Sequence, residues 1–210
     1  ASTGLTTTDV ERSERLVSAT FSCPGRRWRG LRVIGVHARS KLWAAELHQR
    51  DFHVDLLIDE LATHWRPAGA PVLLLGDFNA QPYADEITAA TGLGASRERS
   101  EVVHHGFRAR RVDGLYNPTW SLLPDALTSG DPAGSYYFED KARGVQWQCL
   151  DQVMVSRELA ASWKPSWNPK FVPPLSGHHA LNNGRPTASH PDHVPLIAEI
   201  AVEEVSVCRI

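Results

Sequence analysis

Val72-Leu73-Leu74-Leu75-Gly76-Asp77-Phe78-Asn79 decides how this chain is read. Four consecutive apolar residues stop at a glycine, and an acid and an amide then follow two residues apart. A short, fully apolar run bounded by turn residues reads as a buried strand. In α/β proteins ligands gather just past the carboxyl ends of strands. Along an extended chain the period of two sets Asp77 and Asn79 on one side and Phe78 on the other. A rigid strand thus presents a carboxylate and an amide together, with Phe78 as apolar anchor. That pairing suits a hard metal ion or a water near a phosphate. Taken alone, Gly-Asp-Phe-Asn is often only a strand followed by an Asx turn.

Three further stretches add to it. Val33-Ile34-Gly35-Val36-His37-Ala38-Arg39-Ser40 is a second apolar strand ending in polar residues. Leu150-Asp151-Gln152-Val153-Met154-Val155-Ser156 begins a third strand with an acid, and Ser189-His190-Pro191-Asp192-His193-Val194-Pro195 sets an Asp-His pair before an apolar run. In this order the four resemble the endonuclease/exonuclease/phosphatase superfamily, the deoxyribonuclease-like metal-dependent phosphoesterases. That family carries a His-x-x-Ser strand end, Gly-Asp-Phe-Asn, a Leu/Ile-Asp-x-Val/Ile strand and a closing Ser-Asp-His-x-Pro. The combination is specific where each motif alone is weak. Tyr116-Asn117-Pro118-Thr119-Trp120, Gly134-Ser135-Tyr136-Tyr137-Phe138 and Trp147-Gln148-Cys149-Leu150-Asp151 are similar to segments of a bacterial subgroup. The last motif departs from the family pattern, because His190-Pro191 separates Ser189 from Asp192.

The resemblance implies a four-layer α/β-β/α sandwich, with two packed sheets and helices outside; the residue pattern alone supports α/β. It also implies roles. Asp192 would be a ligand of Mg²⁺, with Mn²⁺ as the alternative ion. Asp77 would orient or deprotonate the attacking water, or bind a second metal. Asn79 would hold the phosphate or that water. His193 would contact the phosphate and act as acid or base, with Asp151 fixing its tautomer. His37 would be a second imidazole on the phosphate side. Hydrolysing a phosphate ester needs charge neutralisation, a deprotonated water and help for the leaving oxygen, and this set could supply all three. The expected activity is a divalent-metal-dependent phosphoesterase, foremost a phosphodiesterase or nuclease. DNA, RNA, lipid head groups and small phosphoesters all stay open as substrates. The alternative is a catalytically impaired fragment or subunit that acts by binding.

Family members open with a strand ending in Asn and then one ending in a metal-binding Glu. Neither is recognisable here. Glu11 and Glu14 lie in the charged run Val10-Glu11-Arg12-Ser13-Glu14-Arg15, with no apolar strand before it. The likeness runs from Leu31 to Ile200, so residues 1–210 read as one domain incomplete at its N-terminus. The strands at 16–22 and 31–37 are then expected to leave an open sheet edge. An N-terminal segment, a partner chain or self-association is expected to cover it.

Composition fits one globular domain: 42% hydrophobic and 22% charged residues in 210. A net charge of −2 gives no general pull toward polyanions. Nucleic-acid contacts would need local patches, for which Arg26-Arg27-Trp28-Arg29 and Arg108-Ala109-Arg110-Arg111 are candidates; solvated loop charge explains both as well. No apolar stretch approaches a membrane span. Cys23, Cys149 and Cys208 are odd in number and far apart, which points to reduced thiols and a cytoplasmic location. A signal lost upstream stays open.

The coarse element reading gives paired strands at 16–22 and 31–37. An amphipathic helix follows over 41–65, with Leu47, Val54, Leu57, Ile58 and Leu61 at helical spacing. That spacing between two strands implies a crossover unit. Short helices are expected near 85–90 and 157–163, and a strand over 145–155. The segments 96–113 and 163–184 read as loops, and 194–202 as the last strand.

Overall fold

The computed structural model describes residues 6–22, 30–40, 57–64, 71–105, 114–123, 132–138, 146–172, 181–182, 185–186 and 193–200. Its centre is a seven-stranded mixed sheet. It is built from β1 (Thr6–Arg12), β2 (Leu16–Ser22), β3 (Gly30–His37), β4 (Val72–Asp77), β5 (Ala95–Ser96), β6 (Leu115–Tyr116) and β9 (Asp151–Val155). The spatial order is β1-β2-β3-β4-β9-β6-β5. β2 and β3 run antiparallel with Leu16 opposite Val36, as the paired-strand reading requires. β3 and β4 are parallel, His37 falling level with Asp77. Residues 57–64 are helical and belong to the crossover between them; 41–56 and Trp65 lie outside the described residues.

The apolar run of β4 is explained by burial on both faces. Leu74 joins Leu16, Ile34, Val36 and Met154 against Ile58 and Leu61 of the crossover helix. Leu73 and Leu75 turn to the opposite face, toward Val153, Val155, Leu159 and Trp163. Burying such aliphatic side chains contributes about 1.5–3 kcal/mol each, so the strand carrying Asp77 is among the best-anchored segments. Leu196 of β13 (Leu196–Ile197), paired with β10 (Lys170–Phe171), packs on that second face. Two other short ladders, β7 (Tyr136–Tyr137) with β8 (Trp147–Gln148) and β11 (Leu181–Asn182) with β12 (Arg185–Pro186), complete the strands described. The described residues thus form an α/β fold around one mixed sheet, with the crossover helix on one face and Leu196 against the other.

Several local expectations change. β1 is a strand, though its segment is small, polar and charged. It pairs with β2 across a bulge between Thr8 and Glu11, so the edge of the sheet belongs to β1 rather than to β2 or β3. Arg32, 1% exposed, holds it there. The guanidinium donates to the Asp9 carbonyl (3.0 Å), Glu11 Oε2 (2.7 Å) and Ser18 Oγ (2.7 Å). An arginine buried in the sheet must have its donors met, and the edge strand supplies two of the acceptors, beside Ser18 and Thr20 of β2 and the His64 carbonyl. The segment 96–113 contains a π-helical turn, Glu101–His105, which inserts Val102 into the core. The segment 163–184 contains a 3-10 turn, Pro165–Trp167, with Trp163 and Trp167 packed edge to face. The strand expected over 145–155 is two strands separated at Cys149-Leu150. Short helices at Asp85–Thr88 and Arg157–Ala161 take the two expected positions. Residues 201 and 202 of the expected last strand lie outside the described residues.

Candidate active site

Register alone assembles the site. His37 ends β3 level with Asp77 at the end of β4, and Asp77 lies directly opposite Asp151 at the start of β9. Three neighbouring strands thus deliver an imidazole and two carboxylates in one row. Gly76 makes this approach feasible. Its φ is +134°, and a Cβ there would sit 2.1 Å from the Val36 carbonyl oxygen. Only glycine lets β3 and β4 pass that closely.

Beyond Asp77 the chain turns sharply. Asn79 has φ of 49°, in the left-handed region that asparagine tolerates. Its N–H donates to Asp77 Oδ1 at 2.8 Å, closing an Asx turn. Its Nδ2 donates to Asp77 Oδ2 at 2.9 Å and to the Ala38 carbonyl at 2.8 Å. Both partners only accept, so the amide orientation is fixed and both Nδ2 hydrogens are spent. What Asn79 can offer a ligand is Oδ1, an acceptor, suited to a water or a cation. Phe78 lies on the other side, 4% exposed, its N–H bonded to the Leu150 carbonyl at 2.9 Å.

His193 reaches the row from the other end of the chain. Its Nδ1 lies 2.6 Å from Asp151 Oδ2. A carboxylate accepts, so Nδ1 carries the proton and exchange chemistry falls to Nε2. His37 Nε2 stands 3.9 Å from Asp77 Oδ2, on a side chain 76% exposed. Burial pushes the Asp77 carboxyl above the ordinary aspartate value, and the Asp151 charge adds to the rise. The Asn79 N–H, His193 and His37 oppose it. Tyr136 packs its ring 5.0 Å from the His193 ring and bridges to His193 through the backbone. Five of the six expected site residues therefore stand together: His37, Asp77, Asn79, Asp151 and His193. Asp192 lies outside the described residues, as do His178, His179, His190 and both arginine-rich patches. Among the described residues, no cluster of three or more His, Cys, Asp or Glu side chains has metal-site geometry.

The sequence reading missed the residues that brace this row. Ser135 is fully buried, and its Oγ accepts the N–H groups of Leu150 (3.0 Å) and Asp151 (2.9 Å). Its carbonyl accepts the Val194 N–H at 2.6 Å. One residue thereby ties the strand start bearing Asp151 to the segment bearing His193. A second brace runs from Asn117 Nδ2 to Gln152 Oε1 (2.8 Å) and from Gln152 Nε2 to the Ala80 carbonyl (2.6 Å). Asn117 and Gln152 are both fully buried. The available signal was Gln152 at a core position of an apolar strand, since a buried amide must find partners. Cys149 is buried, and desolvation, with Asp151 nearby, pushes its thiol up to about 12. It is neutral at ordinary pH and packs behind the site.

No family model and no curated protein matches the chain. Solved structures do. One is the 3′ phosphatase NExo from Neisseria bound to a product DNA hairpin, at 17% identity and a TM-score of 0.52. The match covers 94% of this chain and 72% of that one. The 3′-5′ exonuclease NExo from Neisseria meningitidis matches at 15% and 0.51, over 93% and 72%. An endonuclease/exonuclease/phosphatase family protein from Bacteroides thetaiotaomicron matches at 15% and 0.42, over 86% of this chain. This chain spans about half the length of that protein, 54%. At these identities the likeness is one of fold.

Proposed function

We propose that this chain is a divalent-metal-dependent phosphoesterase, foremost a phosphodiesterase or nuclease. The observation that carries the reading is the His193–Asp151 pair at 2.6 Å beside Asp77, in register with His37. Two imidazoles and two carboxylates at one sheet end suit proton transfer around a phosphoryl group. Phosphatase and nuclease names among the structures of the same fold agree with it.

The donor set fits a hard cation in kind. Asp77 and Asp151 face each other across neighbouring strands, and their mutual repulsion contributes to the raised Asp77 value. A cation would relieve that repulsion. Mg²⁺ typically takes one or two carboxylates and keeps several waters, so it needs no closed protein cage. Asp77, Asn79 Oδ1 and Asp192 are the proposed holders, with Mn²⁺ as the alternative ion. When bound, the ion would neutralise charge on the phosphate and acidify a water.

The chain's own groups take the remaining tasks. Asp151 holds His193 so that Nε2 can donate to a phosphate oxygen when protonated, or accept a proton from the attacking water when not. Asp77, easier to protonate than an exposed aspartate, orients or deprotonates the attacking water. Asn79 offers that water an acceptor. His37 stands on the phosphate side. The test is hydrolysis of bis(p-nitrophenyl) phosphate and of short DNA and RNA strands with Mg²⁺, Mn²⁺ or EDTA. Turnover that needs the metal and falls about a hundredfold in His193→Ala supports the reading. Absence of turnover on every ester with either metal would favour the binding-module alternative.

A further inference from the structure

Tyr83 is 55% exposed, an unusual position for a large aromatic ring, and nothing in the chemistry above uses it. It lies four residues past Asn79 on the loop that leaves β4. A trans chain of that length spans at most about 14 Å, so Tyr83 lies within that distance of Asn79. Its ring stands edge to face with Trp120, centroids 6.4 Å apart. Arg97 lies over the Trp120 ring at 5.6 Å, its side chain 63% exposed and its Nε 3.8 Å from Glu98 Oε1.

The three residues come from three separate connections, yet they are held in fixed relation to the site. Trp120 rides on the 3-10 turn Pro118–Leu122, which Asn117 caps by accepting the Thr119 N–H at 3.1 Å. Asn117 bonds Gln152, and Gln152 bonds the Ala80 carbonyl, three residues before Tyr83. Gln81 Oε1 accepts the Cys149 N–H at 3.1 Å, two residues before Asp151. The loop is thus pinned on both sides to the strand that carries Asp151.

We propose that Tyr83, backed by the Trp120 ring over which Arg97 lies, is a stacking platform for a base of single-stranded nucleic acid next to the phosphate at the site. This rests on the proposed phosphoesterase reading and narrows its substrate class. A ring supported from behind and open in front can take a planar face, and every base has one. The Arg97 guanidinium, over the Trp120 ring that backs Tyr83, suits a phosphate of the same strand. Bases paired in a duplex are already stacked, so the platform selects unpaired strands.

The test is direct binding in EDTA, with hydrolysis playing no part. A fluorescein-labelled ten-residue thymidine strand is compared by anisotropy with an abasic strand of equal length. The abasic strand keeps every phosphate and sugar and lacks only the bases. The wild-type chain should bind the intact strand about tenfold tighter, the scale of one stacked base. Tyr83→Ala should bring that ratio near one, and Tyr83→Phe, which keeps the ring, should preserve it. Arg97→Gln should weaken both strands alike and flatten the salt dependence. Equal wild-type affinity for the two strands would overturn the platform, as would an unchanged ratio in a folded Tyr83→Ala. The base-dependent ratio without hydrolysis of any ester would uphold the platform and overturn the proposed reaction. Hydrolysis without the ratio would do the reverse.

Discussion

Replacing Ser135 by alanine probes the joint between fold and site. The substitution removes one oxygen from a fully buried position. That oxygen accepts two backbone N–H groups, those of Leu150 and Asp151. The serine's own backbone bonds, to the Gln148 carbonyl and from the Val194 N–H, survive the change. The variant should therefore fold, with two buried donors left without acceptors. Each such donor costs about 1–3 kcal/mol, so the expected loss is roughly 2–6 kcal/mol. A typical domain has only about 5–15 kcal/mol in all. Relaxation would shift the start of β9 and with it the 2.6 Å contact between Asp151 and His193. Misplacement of a reacting group by about 1 Å can cost on the order of a hundredfold in rate. Urea unfolding measures the first effect, with an unchanged m-value confirming comparable states. Hydrolysis rates at saturating metal measure the second, as a lower kcat with KM little changed. Ser135→Thr, which restores the oxygen, should recover kcat, although its added methyl costs some stability. A stability loss below about 0.5 kcal/mol in Ser135→Ala would refute the hub, since that is the range of an ordinary surface change.

Asp77→Ala and His193→Ala should each lower kcat by about a hundredfold or more, and Cys149→Ser, a buried group held neutral, should leave turnover largely intact. Unchanged turnover in the first two would remove their assigned roles. Gly76→Ala must place a Cβ 2.1 Å from the Val36 oxygen at φ +134°, so a loss of at least about 2 kcal/mol in thermal or urea unfolding is expected. A wild-type melting temperature in that variant would show that β3 and β4 can separate freely. With metal chelated, Asp77 should also leave a pH signature. Its folded value is raised, so the native state binds the extra proton and stability falls as pH rises from the ordinary 3.8 through the folded value. Urea titrations should show wild type losing stability relative to Asp77→Asn across that window; a gain would reverse the sign of the argument.

The sequence by itself determined the strand carrying the site and the order of its chemistry. Four apolar residues before Gly76-Asp77 can be satisfied only by burial on both faces, and the structure supplies it through Ile58 and Leu61 on one side and Val153 and Leu159 on the other. The crossover unit between 37 and 72 was legible from spacing, and the structure pairs β3 and β4 parallel across it, as a connection long enough to hold a helix permits. Those are local patterns, readable from period and length. The tertiary structure decided what depends on partners distant in sequence. β1 looks like a charged linker until the buried Arg32 donors are counted, and they close on Asp9, Glu11 and Ser18. Ser135 and Gln152 are ordinary polar residues until the Ser135 Oγ proves to accept from the β9 start and the Gln152 Nε2 to donate to the Ala80 carbonyl. Asn79 could have offered a donor or an acceptor; the carboxylate of Asp77 and the carbonyl of Ala38 spend its hydrogens and leave the acceptor. A hydrogen-bonding side chain carries no mark of its partner, so its role becomes fixed only when the fold brings that partner within about 3 Å.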